Sequence, residues 1–131
     1  MSESKGSNPH KGRTGIDRIM RAMGYSMDGL QGAYTGESAF RQEVWLTLIA
    51  LPLAFWLGHG WVEVSLLIGS LVLVLIVELL NSAVEAVVDR VSFELHDLSK
   101  RAKDIASAAV FLSLTLAGGV WAAALWHRLT D

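Results

Sequence analysis

The sequence contains no cysteine, which excludes disulfides, thiolate metal sites and cysteine nucleophiles. Its four histidines, His10, His59, His96 and His127, are scattered without metal-ligand spacing, so we expect no histidine-based metal site. The formal net charge is only −2, and this near-neutral balance does not indicate nucleic acid as a partner. The glycine-rich phosphate loop and the soluble kinase signatures are also absent, so any nucleotide must bind without a standard nucleotide fold.

Charged residues are absent from three long stretches of the chain. Residues 105–126 form an uncharged run of 22, and residues 44–57 and 64–77 form runs of 14 each. A helix needs about 20 mostly apolar residues to cross the hydrocarbon core of a bilayer. The last run meets this requirement alone, the first meets it with interfacial charges at its start, and the second meets it only by continuing through polar residues. The sequence therefore predicts an all-α membrane protein with spans at about 37–57, 61–91 and 102–128. Gly58-His59-Gly60 is predicted to form a tight turn between the first two spans, and residues 92–101 a polar loop before the third.

The segment before the first span is polar and has no signal peptide, so we expect the first apolar run to be retained. Residues 1–14 are predicted to be a disordered tail, and residues 15–131 a single membrane domain. An amphipathic surface helix is predicted over about 15–34, with apolar residues at helical spacing and basic residues between them. Glycines at positions 24, 29, 32 and 36 predict a break or turn in this segment.

The placement of lysine and arginine predicts the orientation. The 58–63 connection has none, whereas the N-terminal side and the second connection have several, including Arg41 and Lys100. We therefore expect the N-terminus and the second connection to be cytoplasmic and the C-terminus to lie on the far side. The polar residues within the second span also predict a homo-oligomer, because lipid alone cannot satisfy them. Three tryptophans are expected at the far interface: Trp56, Trp61 and Trp126.

The polar residues of the second span lie on one helical stripe. Glu78, Asn81, Ser82, Glu85 and Asp89 follow one another at i, i+3, i+4, i+7 and i+11. Asn81 and Ser82 alone are typical of helix–helix contacts. Ionisable groups at membrane depth are costly, so the two glutamates indicate a functional site. One glutamate is suited to act as a general base, and the one nearer the cytoplasm to hold Mg²⁺.

Two further groups of charges have two interpretations each. Glu37 begins the first span at the depth of Glu85, where the two carboxylates can share a cation, but an acidic residue also stabilises the first turn of a helix. Basic residues of the second connection, such as Lys103, can contact phosphate oxygens, but they also fit the usual excess of positive charge on the cytoplasmic side.

Four segments, 21–26, 37–43, 77–90 and 101–110, resemble in order and spacing the signature blocks of the prokaryotic diacylglycerol kinase family. The block Glu-x-x-Asn-Ser-Ala-x-Glu-x-x-x-Asp-Arg is long and unusual, which makes the resemblance specific. The similarity covers the chain from about Gly15 to its end. Met27 stands where the family pattern has tryptophan, and Gly36 where it has asparagine.

The resemblance implies a homotrimer in the bacterial inner membrane, with a surface helix and three spans per chain and sites shared between chains. It implies transfer of the γ-phosphate of ATP to diacylglycerol, with Glu78 as general base, Glu37 and Glu85 holding Mg²⁺, and Asn81 supporting the site. The nucleotide-binding positions it implies are Arg18, Tyr25, Glu37, Glu85, Glu94, Leu95, His96, Lys103 and Asp104. The lipid-binding positions it implies are Arg18, Ala22, Met23, Gly24, Tyr25, Ser26, Met27, Gln31, Glu43, Trp56, Glu78 and Ser107.

Three alternatives remain at this point. An undecaprenol kinase belongs to the same family and uses another lipid alcohol, although the N-terminal helix block favours diacylglycerol. A non-enzymatic membrane subunit or ion conductor would use the carboxylate stripe without ATP. A structural scaffold would need neither Glu37 nor Glu85.

Overall fold

The computed structural model describes residues 15–91 and 97–131 as a bundle of four α-helices. No strand occurs in these two ranges, which confirms the predicted all-α class. The expected tail 1–14 and the predicted nucleotide contacts Glu94, Leu95 and His96 lie outside the described residues. The helices are α1 (Ile16–Gly36), α2 (Ser38–Leu57), α3 (Trp61–Val91) and α4 (Asp97–Thr130).

Helix α1 is amphipathic and buries none of its residues in the chain. The expected break among its glycines is wrong, because the helix continues through all four and ends at Gly36. Each interior glycine costs roughly 1 kcal/mol relative to alanine, and contacts at the carboxyl end of α1 oppose this cost. Arg41 Nη1 donates to the Tyr34 carbonyl at 2.7 Å, and Trp45 Nε1 donates to the Tyr34 hydroxyl at 2.9 Å. The chain bends only at Glu37, whose backbone is extended.

The turn between α2 and α3 is the predicted Gly58-His59-Gly60. The Gly58 N–H donates to the Ala54 carbonyl at 3.0 Å and closes α2. A Cβ at Gly58 would lie 2.9 Å from the backbone nitrogen of Val64, so a side chain does not fit there. Gly60 has φ of 92°, a conformation that favours glycine. The turn thus depends on both glycines and brings α3 back antiparallel to α2.

The apolar core lies near this turn and joins α2, α3 and α4. Ala54 and Leu67 are 0% and 1% exposed, and Leu57 packs with them. Trp121 of α4 donates its Nε1–H to the Leu67 carbonyl at 3.1 Å. We call this end of the bundle the turn end, and the opposite end, where α1 meets α2, the α1 end.

Helices α3 and α4 run antiparallel along their whole length. Near the turn end Leu67 contacts Trp121, and near the α1 end Asp89 Oδ1 contacts Lys103 Nζ at 2.8 Å. Helix α4 begins at Asp97, so the loop predicted over 92–101 was wrong for its last five residues, which are helical. Helical hydrogen bonds satisfy these polar residues, and the i,i+4 pair of Lys100 and Asp104 supports the first turns.

Helices α3 and α4 are each long and apolar enough to cross a membrane. Only 22% and 11% of their most apolar stretches are buried inside the chain, so neither is the core helix of a soluble protein. Helix α2 does not meet the same criterion, because Arg41, Gln42 and Glu43 interrupt its first turns. Large apolar side chains nevertheless point outward from it, including Leu46, Ile49 and Phe55. A surface this apolar requires lipid or another chain to cover it.

Candidate functional site

A pair of carboxyl groups joins α2 to α3 in the half of the bundle nearest α1. Glu78 is only 6% exposed, and Glu43 of α2 is half-buried and close enough for the two carboxyl groups to interact. Glu43 and Glu78 meet because α2 and α3 run antiparallel from the 58–60 turn, which sets the residues of one helix opposite those of the other. Buried paired carboxyl groups are suited to proton transfer. The structure thus gives Glu78 a partner that the stripe on α3 alone does not reveal.

Three polar side-chain atoms, one in this pair and two just after Glu78 on α3, are buried without a hydrogen-bond partner in the described part of the chain. They are Glu43 Oε1, Asn81 Oδ1 and Ser82 Oγ. Buried polar atoms are almost always satisfied in a complete structure. A substrate hydroxyl, water or a second chain therefore has to complete these hydrogen bonds. Ser82 belongs to this group, although its residue type alone is typical of helix–helix contacts.

The open end of the stripe carries charges from α3 and α4. Lys103 Nζ lies 2.8 Å from Asp89 Oδ1, and Glu85 is close enough for its charge to act on Lys103. Lys100 Nζ lies 2.7 Å from Asp104 Oδ2. Both pairs are exposed and contribute little to stability. Lys103 can therefore exchange Asp89 for a phosphate oxygen at small cost.

Glu37 lies where α1 ends and α2 begins. Its N–H donates to the Ala33 carbonyl at 2.9 Å, and its own carbonyl accepts the Arg41 N–H at 3.1 Å. Glu37 lines a groove together with Ser82 and Ala83 of α3, whereas Glu85 faces the side of α3 near Lys103. Glu37 and Glu85 thus lie at the same end of the bundle, each beside different neighbours.

An apolar cleft separates α1 from the α2–α3 pair. It encloses about 650 Å³ and exposes mainly carbon atoms. Two of the predicted lipid positions, Met27 and Gln31, line this cleft with Tyr34, Phe40 and Leu79. Its size and lining suit an acyl chain. Neither carboxyl group of the pair lines this cleft; Glu43 lines a second apolar cleft of about 370 Å³ between α2, α3 and α4, together with Val74 and Leu114.

The other predicted positions are spread over the molecule. Ser26 lines the groove of Glu37, and Ser107 is exposed on α4 about one turn beyond Lys103. Trp56 lies at the turn end, with the Arg128 guanidinium 4.7 Å from its ring centroid, and is not brought near the carboxyl pair. Five positions lie on the exposed surface of α1: Arg18, Ala22, Met23, Gly24 and Tyr25.

Arg41 is a residue of this region to which sequence reasoning gave no role. It binds the last carbonyls of α1 and lies 5.9 Å from the Tyr34 ring centroid, which fixes the angle between α1 and α2. The signal for it was a cation placed just after a helix, where carbonyl groups are unsatisfied.

The expectation of no histidine-based metal site rested on the scattering of the histidines in sequence, but two of them meet in the fold. His59 and His127 have ring centroids 5.1 Å apart at the turn end. No local pattern predicts this contact, because the antiparallel packing of α3 and α4 brings together positions that are distant in the sequence. The pair lies far from the stripe of Glu78.

Comparison with known proteins gives a consistent result. Residues 24–125 match the family model described as prokaryotic diacylglycerol kinase. A diacylglycerol kinase of Pseudomonas aeruginosa is 52% identical over 118 residues, which cover 90% of this chain and 96% of the relative. Those of Haemophilus influenzae and Escherichia coli are 48% and 50% identical, over 86% and 88% of this chain and 96% and 94% of the relatives. The chain belongs to the prokaryotic diacylglycerol kinase family.

Proposed function

We propose that this chain is a diacylglycerol kinase that transfers the γ-phosphate of ATP to the hydroxyl of diacylglycerol, giving phosphatidate and ADP. Family membership and relatives named diacylglycerol kinase over most of the chain support the activity. The observation that carries the proposal is the buried Glu78, which faces Glu43, a carboxyl group that lines an apolar cleft between α2, α3 and α4. A lipid alcohol needs such a combination, an apolar channel for its chains and a base for its hydroxyl.

Glu78 is the proposed general base. It accepts the proton of the lipid hydroxyl while the hydroxyl oxygen forms a bond to the γ-phosphorus and the bond to the β–γ bridging oxygen breaks. ADP leaves with that electron pair. Glu43 supports Glu78 by receiving or sharing the proton, and Asn81 orients the reacting groups through its unsatisfied oxygen. The lipid enters along the cleft of Met27 and Gln31, and the remaining predicted lipid positions lie along α1 and α4, apart from Glu43 and Trp56 of α2 and Glu78 of α3.

The nucleotide is proposed to bind at the α1 end. Glu37 and Glu85 fit Mg²⁺, because both are half-buried carboxylates at the same end of the bundle and Mg²⁺ prefers oxygen ligands. The ion, when bound, would neutralise the phosphates of ATP. Lys103 contacts a phosphate oxygen after leaving Asp89. The remaining proposed nucleotide contacts are Arg18, Tyr25, Glu94, Leu95, His96 and Asp104.

The proposed assembly is a homotrimer in the bacterial inner membrane, with α2, α3 and α4 as three spans. The unsatisfied atoms of Asn81 and Ser82 and the outward apolar surface support association. Within one chain Glu37 lines the groove of Ser82 whereas Glu85 lies beside Lys103, and this separation supports sites shared between neighbouring chains. The proposed orientation has the N-terminus and the α3–α4 connection in the cytoplasm, since basic residues are concentrated there.

The substrate is tested by measuring ATP consumption and lipid phosphorylation by the purified chain in mixed micelles with Mg²⁺. We expect ADP release that depends on diacylglycerol, with phosphatidate as product. Undecaprenol is the matched alternative acceptor, and turnover with it alone would keep the mechanism and change the substrate. Turnover with neither acceptor would refute the kinase proposal, and Glu78-dependent ion flux in liposomes would then favour the conductor.

Shared sites are tested by combining two inactive chains. Glu78→Gln and Glu85→Gln chains are co-expressed with different tags, and oligomers that carry both tags are purified. If neighbouring chains contribute Glu78 and Glu85 to one site, part of the activity returns, because some sites receive both intact glutamates. Oligomers of two differently tagged Glu78→Gln chains are the control and should stay inactive. Mixed oligomers as inactive as this control would show that Glu78 and Glu85 of each site come from the same chain.

A further inference from the structure

A second cluster of metal-ligand side chains lies at the turn end. His59 belongs to the α2–α3 turn, Glu63 to the first turn of α3 and His127 to the last turns of α4. One ligand atom from each lies within 4.8 Å of the other two. Glu63 and Glu85 are 22 residues apart on α3, so the cluster is about 33 Å from the proposed Mg²⁺ ligands. It is therefore a separate feature from the kinase site.

One distance within the cluster matches that of a zinc site, and all three ligand atoms lie within 4.8 Å of one another. His59 Nδ1 lies 3.4 Å from Glu63 Oε1. Zinc bonds of about 2.0–2.2 Å in tetrahedral geometry place neighbouring ligand atoms roughly 3.3–3.5 Å apart. These side chains are partly exposed, so a small rotation brings His127 into the same coordination sphere. Asp131 Oδ2 lies 3.7 Å from His127 Nε2 and is available as a fourth ligand.

The surroundings favour a cation and hold one ligand in place. The His59 N–H donates to Glu63 Oε1 at 2.9 Å, which orients the carboxylate towards the imidazole. Glu63 brings one negative charge to the cluster, and Asp131 brings a second beside His127. The neighbouring cation, Arg128, has its guanidinium stacked on the Trp56 ring. A divalent ion would neutralise the two carboxylates without displacing a cation from the cluster.

We infer that His59, Glu63 and His127 bind a divalent transition-metal ion of the zinc class, with Asp131 or water as fourth ligand. Two imidazole nitrogens select zinc over Mg²⁺, which prefers oxygen ligands and keeps its waters. The ion links the α2–α3 turn to the end of α4. Its role is structural, because an ion that binds the folded chain stabilises that state by mass action.

Two i,i+4 side-chain pairs without a metal are the alternative explanation, His59 with Glu63 and His127 with Asp131. Such pairs occur on helix surfaces and contribute little. They do not by themselves account for the convergence of His59 and His127 from two elements. The two explanations differ in what happens when zinc is added.

The test is titration of the full chain in detergent micelles with Zn²⁺ in the presence of millimolar Mg²⁺. We expect one Zn²⁺ per chain with an affinity at least tenfold lower in His127→Gln and in Glu63→Gln. The Glu37→Gln/Glu85→Gln variant is the matched control and should bind this Zn²⁺ unchanged. Co²⁺ in place of Zn²⁺ should give the visible absorption of a tetrahedral site in the wild type and lose it in His127→Gln.

Stability supplies a second readout. Zn²⁺ should raise the thermal midpoint of the wild-type chain and not that of His127→Gln, while lipid kinase activity of both without Zn²⁺ shows that the variant is folded. Equal Zn²⁺ affinity in wild type, His127→Gln and Glu63→Gln would overturn the proposal. Loss of the ion in Glu37→Gln/Glu85→Gln would also overturn it, by placing the zinc at the α1 end. If His127→Gln fails to fold, Glu63→Gln decides alone.

Discussion

The two ends of the bundle differ in how completely one chain satisfies its own groups. At the turn end Leu67 is buried against Ala54, and the Trp121 indole donates to the Leu67 carbonyl. Towards the α1 end Glu43, Asn81 and Ser82 bury polar atoms that find no partner in the described part of the chain. One end is therefore packed to hold the helices together. The other leaves hydrogen bonds to be made by substrate or by a neighbouring chain.

The largest expected effect comes from comparing the same substitution, glutamate to glutamine, at the two ends of α3. Glu78→Gln should lower lipid-dependent phosphate transfer by about 10²- to 10⁴-fold, because it removes the proposed base. Glu63→Gln is the same change on the same helix at the turn end, and it should leave transfer near the wild-type rate. Initial rates of phosphatidate formation in mixed micelles measure both. Full activity of the first variant would refute Glu78 as the base, and equal losses would remove the distinction between the ends.

A smaller effect is expected from removing apolar volume at the turn end. Leu67→Ala should lower the free energy of unfolding by roughly 2–4 kcal/mol, since it leaves a cavity among side chains that cannot fully close it. Leu112→Ala is the control, because Leu112 is exposed on α4 and leaves no cavity within the chain. Unfolding in mixed micelles with increasing SDS measures both. An equal loss for Leu112→Ala would show that packing in the core does not set the stability of this end.

Much of the bundle was predictable because its signals are local. Uncharged runs and the paired glycines predicted α3, α4 and the 58–60 turn, and the stripe on α3 predicted which polar residues share a face. The continuity of α1 was not predictable from its glycines. The low helix propensity of glycine is a small effect compared with the contacts that Arg41 makes with Tyr34. Its four glycines therefore misled the local interpretation.

The pairings between helices were the part that local patterns could not give. Glu43 looked like an interfacial charge in the sequence, and its contact with Glu78 depends on the register of α2 against α3. The contact of His59 with His127 likewise depends on the packing of α4 against α3. The periodicity of residues along a helix shows which face each one lies on, but not which residue of the neighbouring helix lies opposite it.

The smallest expected effect concerns the hydrogen bond that closes the turn end. Trp121→Phe keeps most of the ring and removes the Nε1–H that donates to the Leu67 carbonyl at 3.1 Å. We expect a loss of about 1 kcal/mol in the free energy of unfolding, because that carbonyl keeps its helical bond and loses only the additional donor. Trp126→Phe is the control, since its ring is exposed on the same helix and no such bond ties it to α3. The same SDS titration applies, with kinase activity as a check of folding.

If Trp121→Phe cost no more than Trp126→Phe, apolar packing alone would hold the turn end. A loss of several kcal/mol would instead mean that this indole positions α4 for the whole bundle, and the two ends would no longer be independent.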